Sequence, residues 1–517
     1  MPVEELLAAF ENYVSNNVPI HILDVRSIQV TSDINDVTLL TREDIRRISR
    51  PKIEALQEAD ILADKALLGC EEWEDWHKGD LTPLIQRHIK YAIFSHRWSS
   101  TGEPSFNDVS QRNDSSGDGW TKLLNFCKKA KEYGCDYAWS DTCCINKTSS
   151  AELEEAIRSM YRWYSSAEIC IAYLERSSNV KDFGTEPWFT RGWTLQELLA
   201  PRKTKFYGKE WNPILPHVPL ESNDKEQHDI SSAIEQTTRI PQHQLISFRP
   251  GCYRVWEKLL WASRRTTTRA EDMAYCLIGM LDISMSIAYG EGDWAFHRLM
   301  ETILQRCDEP EIFAWVGQPS PYSLVLPSSP ACYGAIWDSQ MARELGLQPS
   351  KGRQVLPAWS SNIGDRTFTL TKHGLEIELL IIEAEMVAID ESISLGDAWL
   401  TLRLTWNLPG STSTRETVRV HTDVRRLYLE PRWALGVINY EKAAAAGRGQ
   451  LRAGVSYLCF LLGSPYNPTR WTKFYTRNPL ILHCEHEVEE PLRRVYLQQR
   501  SATQEYLPWL KTVAVRD

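Results

Sequence analysis

The sequence of 517 residues has neither long apolar runs nor concentrated basic charge. No stretch of about eighteen residues is apolar throughout, so we expect no membrane-spanning helix. The first residues lack the basic segment and apolar core of a secretory signal peptide. Acidic residues outnumber basic ones by 68 to 58, which argues against a nucleic-acid-binding protein. These absences predict an intracellular, cytoplasmic protein.

The sequence also lacks cysteines and histidines at the spacing typical of metal ligands. Twelve cysteines are spread from Cys70 to Cys484, and several lie in apolar runs, as is typical of reduced core thiols. The adjacent pair Cys143 and Cys144 has no Cys-x-x-Cys companion and no neighbouring histidine cluster. We therefore expect buried thiols there, with no metal and no disulfide.

The chain is too long for one core, and its patterns change along its length. Residues 1–89 show helical patches and predict a helical N-terminal extension. Residues 90–212 alternate short apolar strands with amphipathic helices, which predicts an α/β domain with a parallel sheet flanked by helices. Residues 225–315 are predicted to be helical, and residues 320–517 show the alternation of a β-rich C-terminal domain.

Polar residues follow the first two strands of the predicted sheet. Ser95, His96, Arg97 and Trp98 end the first strand, and Asp141 follows the second. Ligands of open α/β sheets bind beyond the carboxyl ends of the strands, so these residues are candidates for substrate binding. Asp141 could orient His96 or a ligand hydroxyl, or it could cap the turn that follows.

Residues 186–201 combine two tryptophans, an arginine and acids at a strand-to-helix transition. A helix that begins near Thr190 places Trp193 and Glu197 on one face, with Arg191 at its start. An aromatic ring, a cation and a carboxylate in a solvent-facing cleft suit an aromatic, anionic ligand. A buried amphipathic helix with Glu197 paired to an arginine fits the same residues.

Four sequence blocks resemble the fungal heterokaryon incompatibility (HET) domain family in their order and spacing. They are residues 91–98 with Glu103 and 106–108, residues 134–146 with 159–164, residues 188–201, and residues 261–275 with 289–292. The resemblance implies a HET domain over about 90–212, followed by a HET-associated region at 225–315. It also implies a role in non-self recognition and in programmed cell death after unlike cells fuse.

A more distant resemblance links the first block and the Trp193-Thr-Leu-Gln-Glu197 segment to Toll/interleukin-1 receptor (TIR) domains. It implies a TIR-like, flavodoxin-like sheet. Several TIR domains cleave nicotinamide from NAD with a glutamate of the matching helix. The resemblance therefore implies that NAD is a possible substrate and that Glu197 is the candidate catalytic acid. Glu152, on the preceding helix, is the reserve candidate for the same role.

The chemistry of NAD cleavage suits these residue types. A carboxylate beside the ribose stabilises the oxocarbenium character that develops as the bond to nicotinamide breaks. Arg97 and Arg191 could hold the diphosphate, and Trp98 or Trp193 could stack on a ring.

Two other hypotheses remain open. In one, Cys143 or Cys144 is a nucleophile, with His96 as its base and Asp141 orienting the base. In the other, the domain is a non-catalytic module that oligomerises with itself or binds other incompatibility proteins. The Trp, Arg and Glu residues then form a packed, ion-paired seam.

Overall fold

The computed structural model describes residues 3–29, 37–56, 81–98, 102–111, 116–337, 368–371, 374–394, 397–408, 411–423, 432–444, 446–464, 469–478, 480–484 and 486–498. The chain divides into two compact units. The first unit comprises residues 1–251, 265–268 and 275–287, and the second comprises residues 252–264, 269–274 and 288–517.

A mixed sheet forms the centre of the first unit. Its strands are β1 His21–Asp24, β2 Thr38–Thr41, β3 Tyr91–His96, β4 Tyr137–Trp139, β5 Ile169–Tyr173 and β6 Thr204–Tyr207. Their order across the sheet is β2-β1-β4-β3-β5-β6. The strands β4, β3, β5 and β6 run parallel, whereas β1 pairs with β4 and β2 in antiparallel fashion. The predicted α/β class with a parallel sheet is confirmed.

Helices accompany these strands because their apolar residues recur at helical spacing. They are α1 Val3–Asn17, α2 Arg42–Glu54, α3 Thr82–His88, α4 Phe106–Gln111, α5 Asp118–Glu132, α6 Ser150–Ser166, α7 Thr194–Leu199, α8 His228–Thr238 and α9 Gln242–Ser247. Every residue of β3, β4 and β6 is buried, as expected for parallel strands covered on both faces.

The N-terminal segment contributes more than helices to this unit. Residues 1–89, predicted as a helical extension, contain α1, α2 and α3 but also β1 and β2, which extend the sheet beyond β4. Ile22 and Leu23 of β1 are both fully buried. A strand of four residues whose adjacent side chains are both buried shows no alternating pattern, so the sequence does not reveal it.

The helix that carries Glu197 begins later than predicted. Pro187–Thr190 forms a 3₁₀ turn, Arg191 is extended, and α7 starts at Thr194 rather than near Thr190. The extended segment is held because the Gly192 N–H donates to the Thr266 carbonyl over 2.9 Å.

The second unit contains α10 Val255–Ala262, part of α11 Asp272–Leu281, α12 Trp294–Leu304 and α13 Ala331–Trp337. Its described strands are β7 Pro319–Ser320, β8 Ser323–Pro327, β9 Phe368–Thr371, β10 Gly374–Ser394, β11 Asp397–Leu408, β12 Ser411–Asp423, β13 Arg432–Val437, β14 Glu441–Lys442, β15 Arg448–Leu451, β16 Ser456–Ser464, β17 Arg470–Phe474, β18 Leu480–His483 and β19 Val488–Leu497. The strands from β9 to β19 form one largely antiparallel sheet. The predicted β-rich C-terminal region is confirmed.

A close approach of two loops fixes the carboxyl ends of β5 and β6. The Lys209 N–H donates to the Ser177 carbonyl over 2.9 Å, and Gly208 lies beside the same carbonyl. A Cβ atom on Gly208 would lie 2.2 Å from the Ser177 carbonyl oxygen, closer than two non-bonded atoms can approach.

We predict that Gly208→Ala destabilises the protein by about 1–3 kcal/mol, since the backbone must shift to accept the methyl group. Gly184→Ala is the matched control, because a Cβ there meets no atom within 4 Å. Its effect should lie within about 0.5 kcal/mol of zero. Urea unfolding curves compare the two variants, and equal midpoints would contradict the predicted clash.

Candidate functional site

A buried hydrogen-bond network joins β3 to α7. The Ser95 hydroxyl donates to Glu197 Oε2 over 2.5 Å and accepts from Trp188 Nε1 over 2.9 Å. Ser95 lies near the carboxyl end of β3, and the segment carrying Trp188 and Glu197 follows β5, its neighbour. The structure therefore brings together Ser95 and Glu197, which are 102 residues apart in the sequence.

Glu197 is not the solvent-facing acid that the sequence suggested, since only 6% of its surface is exposed. Burial, helped by the negative charge of Asp141, raises the pKa of Glu197 to about 8. The Ser95 hydrogen bond, the positive charge of Arg191 and the Tyr164 hydroxyl each act in the opposite direction, but burial dominates. At neutral pH this carboxyl group is therefore mostly protonated in the free protein.

Glu197 lies on a buried helix, as the alternative interpretation expected, and its carboxyl group accepts from the Ser95 hydroxyl. Arg191 acts on Glu197 through its positive charge, which lowers the pKa of the carboxyl group. Arg265, which is 4% exposed, donates from Nη1 to the Arg191 carbonyl over 2.8 Å and to Thr194 Oγ1 over 2.9 Å. It thereby fixes the backbone at the start of α7.

An aromatic platform lies on the surface nearby. Trp98 is 40% exposed, and its indole N–H donates to Asp141 Oδ2 over 2.9 Å. Lys147 Nζ lies 3.9 Å from the centroid of the Trp98 ring, and the Arg191 guanidinium carbon lies 5.9 Å from it. Two cations around one exposed ring can receive an anionic ligand that also carries a flat ring.

His96 and Arg97 have different environments. The His96 imidazole stacks on Phe94 with 4.1 Å between ring centroids, and its Nε2 lies 3.6 Å from Glu103 Oε2. Burial lowers the pKa of His96, so the ring is neutral near pH 7. Arg97 is partly exposed, and its carbonyl accepts a hydrogen bond from Lys122 Nζ, which also pairs with Glu103.

Trp193 and Glu152 lie outside the network. Trp193 is partly buried and packs against the core of the first unit. The N–H of Glu152, the reserve acid, donates to Oγ of Ser149, which caps α6, and the Glu152 carboxylate lies 3.5 Å from His21 Nδ1. It therefore faces β1, whereas Glu197 faces β3.

The structure adds residues that were not among the predicted site residues. They are Trp188 and Tyr164 inside the network, Lys147 beside the exposed ring, and Arg265 behind α7. Trp188, Tyr164 and Arg265 all lie within the four sequence blocks described above. That position was the available signal, but a tryptophan or a tyrosine in an apolar segment is indistinguishable from a core residue.

Cys143 and Cys144 are buried free thiols, as predicted. Their sulfur atoms lie 4.0 Å apart. Burial raises the pKa of Cys144 well above its ordinary value, which disfavours the thiolate that a cysteine nucleophile requires.

The described residues contain neither a metal-binding cluster nor a membrane-spanning helix. No group of three or more His, Cys, Asp or Glu side chains there is arranged to hold a metal ion. Within the same residues, no helix has both the length and the apolarity needed to cross a membrane.

Part of this chain is similar to known proteins. The model of the heterokaryon incompatibility protein (HET) family matches residues 91–184, which span β3 to the turn after β5. The chain is 36% identical over 226 residues to the vegetative incompatibility protein HET-E-1 of Podospora anserina. That match covers 41% of this chain and 16% of the relative, so the chain corresponds to about a sixth of that protein. No solved structure matches significantly. Residues 91–184 therefore resemble the HET family.

Proposed function

We propose that this protein acts in heterokaryon incompatibility, promoting programmed cell death in non-self recognition, and that its HET domain does so by cleaving nicotinamide from NAD. The observation that carries the enzymatic part is the buried Glu197 carboxyl bonded to Ser95, with the cation-flanked Trp98 ring nearby. The family match and the similarity to HET-E-1 support the incompatibility role.

The strand order supports a ligand site at this position. Numbered along the chain, the four parallel strands have the order 2-1-3-4, which agrees with the first four strands of the flavodoxin-like order 2-1-3-4-5. In such sheets the ligand crevice lies where the strand order reverses, which corresponds here to the carboxyl ends of β3 and β5. Ser95 lies at the end of β3, and Glu197 follows β5.

In the proposed reaction, the residues around Trp98 and the residues around Glu197 bind different parts of NAD. The cations Lys147 and Arg191 would bind the diphosphate, with Arg97 as a further candidate, and Trp98 would stack on a ring. The cationic nicotinamide riboside would lie toward Glu197. A positive charge there favours ionisation of Glu197, which would release its proton to solvent on binding.

Cleavage then needs only water as a second reactant. The bond between ribose C1′ and the nicotinamide nitrogen breaks, and its electron pair leaves with nicotinamide. The Glu197 carboxylate stabilises the positive charge that develops on the ribose. Water adds to C1′ and loses a proton.

The alternative is a non-catalytic, oligomerising death-signalling module. Its supporting observation is the close packing around Glu197, since Ser95 and Trp188 are almost completely buried and form a continuous hydrogen-bonded seam with it. In that case the network serves the fold alone.

We predict that Glu197→Gln lowers NAD turnover by at least about 100-fold, the usual cost of losing one transition-state electrostatic contact. Glu152→Gln is the matched control and should retain turnover, because its carboxylate faces His21. Nicotinamide release by purified protein, together with cell death on expression, measures both effects. A folded Glu197→Gln variant with full turnover, or one inactive in turnover but fully toxic, would favour the non-catalytic module.

The protonation of Glu197 gives a second prediction, about stability. The folded protein holds this proton up to about pH 8, whereas the ordinary value is 4.5, so this group's stabilising contribution is lost as the pH rises between these values. The loss should be on the order of a few kcal/mol. Glutamine cannot ionise, so the Glu197→Gln variant should not show this loss of stability.

Urea unfolding at pH 5 and pH 8.5 tests this expectation. Glu154→Gln is the control, because its side chain on α6 is 41% exposed. The wild type and Glu154→Gln should lose the same stability between the two pH values, and Glu197→Gln should lose less. Equal losses in all three would mean that Glu197 is already ionised at pH 5.

The surface residues give a third prediction. Lys147→Met should raise the KM for NAD by about 5- to 50-fold while kcat changes little, because a lost diphosphate contact weakens substrate and transition state equally. Lys209→Met, at another exposed lysine, serves as the control. Steady-state kinetics measure both constants, and a fall in kcat alone would contradict the assignment of Lys147 to ligand binding.

A further inference from the structure

The second unit contains an apolar cavity with a lysine in its wall. The cavity lies beside β16 and β17 and has about 280 Å³ of empty space including its open mouth. Aromatic and aliphatic side chains provide most of the lining, and Lys473 is the basic residue among them. None of these residues belongs to the NAD site proposed above.

The Lys473 amine is buried without a polar partner. Its Nζ lies 3.3 Å from the centroid of the Trp315 ring and 4.7 Å from that of Phe460, and the residue is 6% exposed. Within the described part of the chain, neither this Nζ nor Trp315 Nε1 has a hydrogen-bond partner. Buried polar atoms are rarely left unpaired, so two of them on residues that line one cavity require an explanation.

A structural cation–π contact is the simplest explanation, but its energy is too small. Such a contact offsets only part of the cost of burying an ammonium group without an anion. Burial lowers the pKa of Lys473 well below its ordinary value, with only a small opposing effect from the Cys332 thiol. The other titratable group in the lining is the Cys459 thiol, whose pKa burial raises. Burial of Lys473 among apolar side chains therefore favours its neutral amine form.

A neutral amine in an apolar pocket is a nucleophile toward carbonyl carbon. The apolar lining disfavours an anion. Trp315 Nε1 is a donor without an acceptor, and a carbonyl oxygen is an acceptor that could enter with the electrophile.

We propose that Lys473 is a covalent modification site that takes a small aliphatic aldehyde as a Schiff base. The amine nitrogen forms a bond to the aldehyde carbon, and the nitrogen loses its two protons as the carbonyl oxygen leaves as water. The product is a neutral imine, which the apolar walls accept. No oxidant or further reactant is needed.

The protein can be tested with acetaldehyde, followed by borohydride, which reduces the neutral imine to a stable secondary amine. Peptide mass spectrometry then measures the ethylation of Lys473 and of the exposed Lys209 as the matched lysine. At pH 7 we expect Lys473 to react at least about tenfold faster, since an ordinary lysine is almost fully protonated there. Between pH 7 and 9 its rate should change little, whereas the rate of an amine with the ordinary pKa of a lysine side chain rises about tenfold per pH unit.

Lys473 reacting no faster than Lys209, or with the same pH dependence, would overturn the proposal.

Two variants separate a reactive amine from a structural cation. Lys473→Met keeps the apolar stem and removes an unpaired buried amine, so its melting temperature should equal or exceed that of the wild type. Lys473→Arg forces a charge into the same space and should melt at a lower temperature. The opposite order, with arginine tolerated and methionine destabilising, would identify Lys473 as a structural cation and overturn the proposal.

Discussion

The hydrogen bond between Ser95 and Glu197 is the contact on which the geometry of the first unit depends. It requires β3 and α7 to lie side by side, and Trp188 closes it from the segment that precedes the helix. Because a buried carboxyl group cannot be left without partners, any displacement of α7 would expose this group to a large energetic penalty. The extended backbone before α7 and the Arg265 contacts at its start follow from the same requirement.

This constraint separates two kinds of polar environment a short distance apart. Inside, Glu197 has lost its water and holds a proton near neutral pH. On the surface, Trp98 remains exposed beside the cations Lys147 and Arg191. Asp141 connects the two, since it accepts from the Trp98 indole and its charge also acts on Glu197. A ligand that carries both an anionic and a cationic part would engage both environments.

Lys473 in the second unit shows the same physics with the opposite sign. Burial favours the neutral form of both groups. It raises the pKa of an acid and lowers the pKa of an amine. Glu197 has hydrogen-bond partners that offset part of this effect, whereas the Lys473 amine faces only aromatic rings and has none in the described structure. The hydrogen bonds of Glu197 are therefore also consistent with a purely structural seam. The unpaired amine of Lys473 has no such structural explanation, and we infer a ligand for it.

The sequence by itself determined the parallel sheet and which strand ends carry polar residues, because continuous apolar runs and helical periodicity are local properties. From the carboxyl-edge rule it also placed Ser95 and Glu197 in one region, although 102 residues separate them. It missed β1 and β2, since strands of four residues carry too little pattern, and it started α7 four residues early, since a 3₁₀ turn resembles a helix in composition. Only the tertiary structure decided that Glu197 is buried and protonated and that Lys473 lacks a partner. Burial and pKa depend on side chains brought together from distant segments, and no local pattern records that.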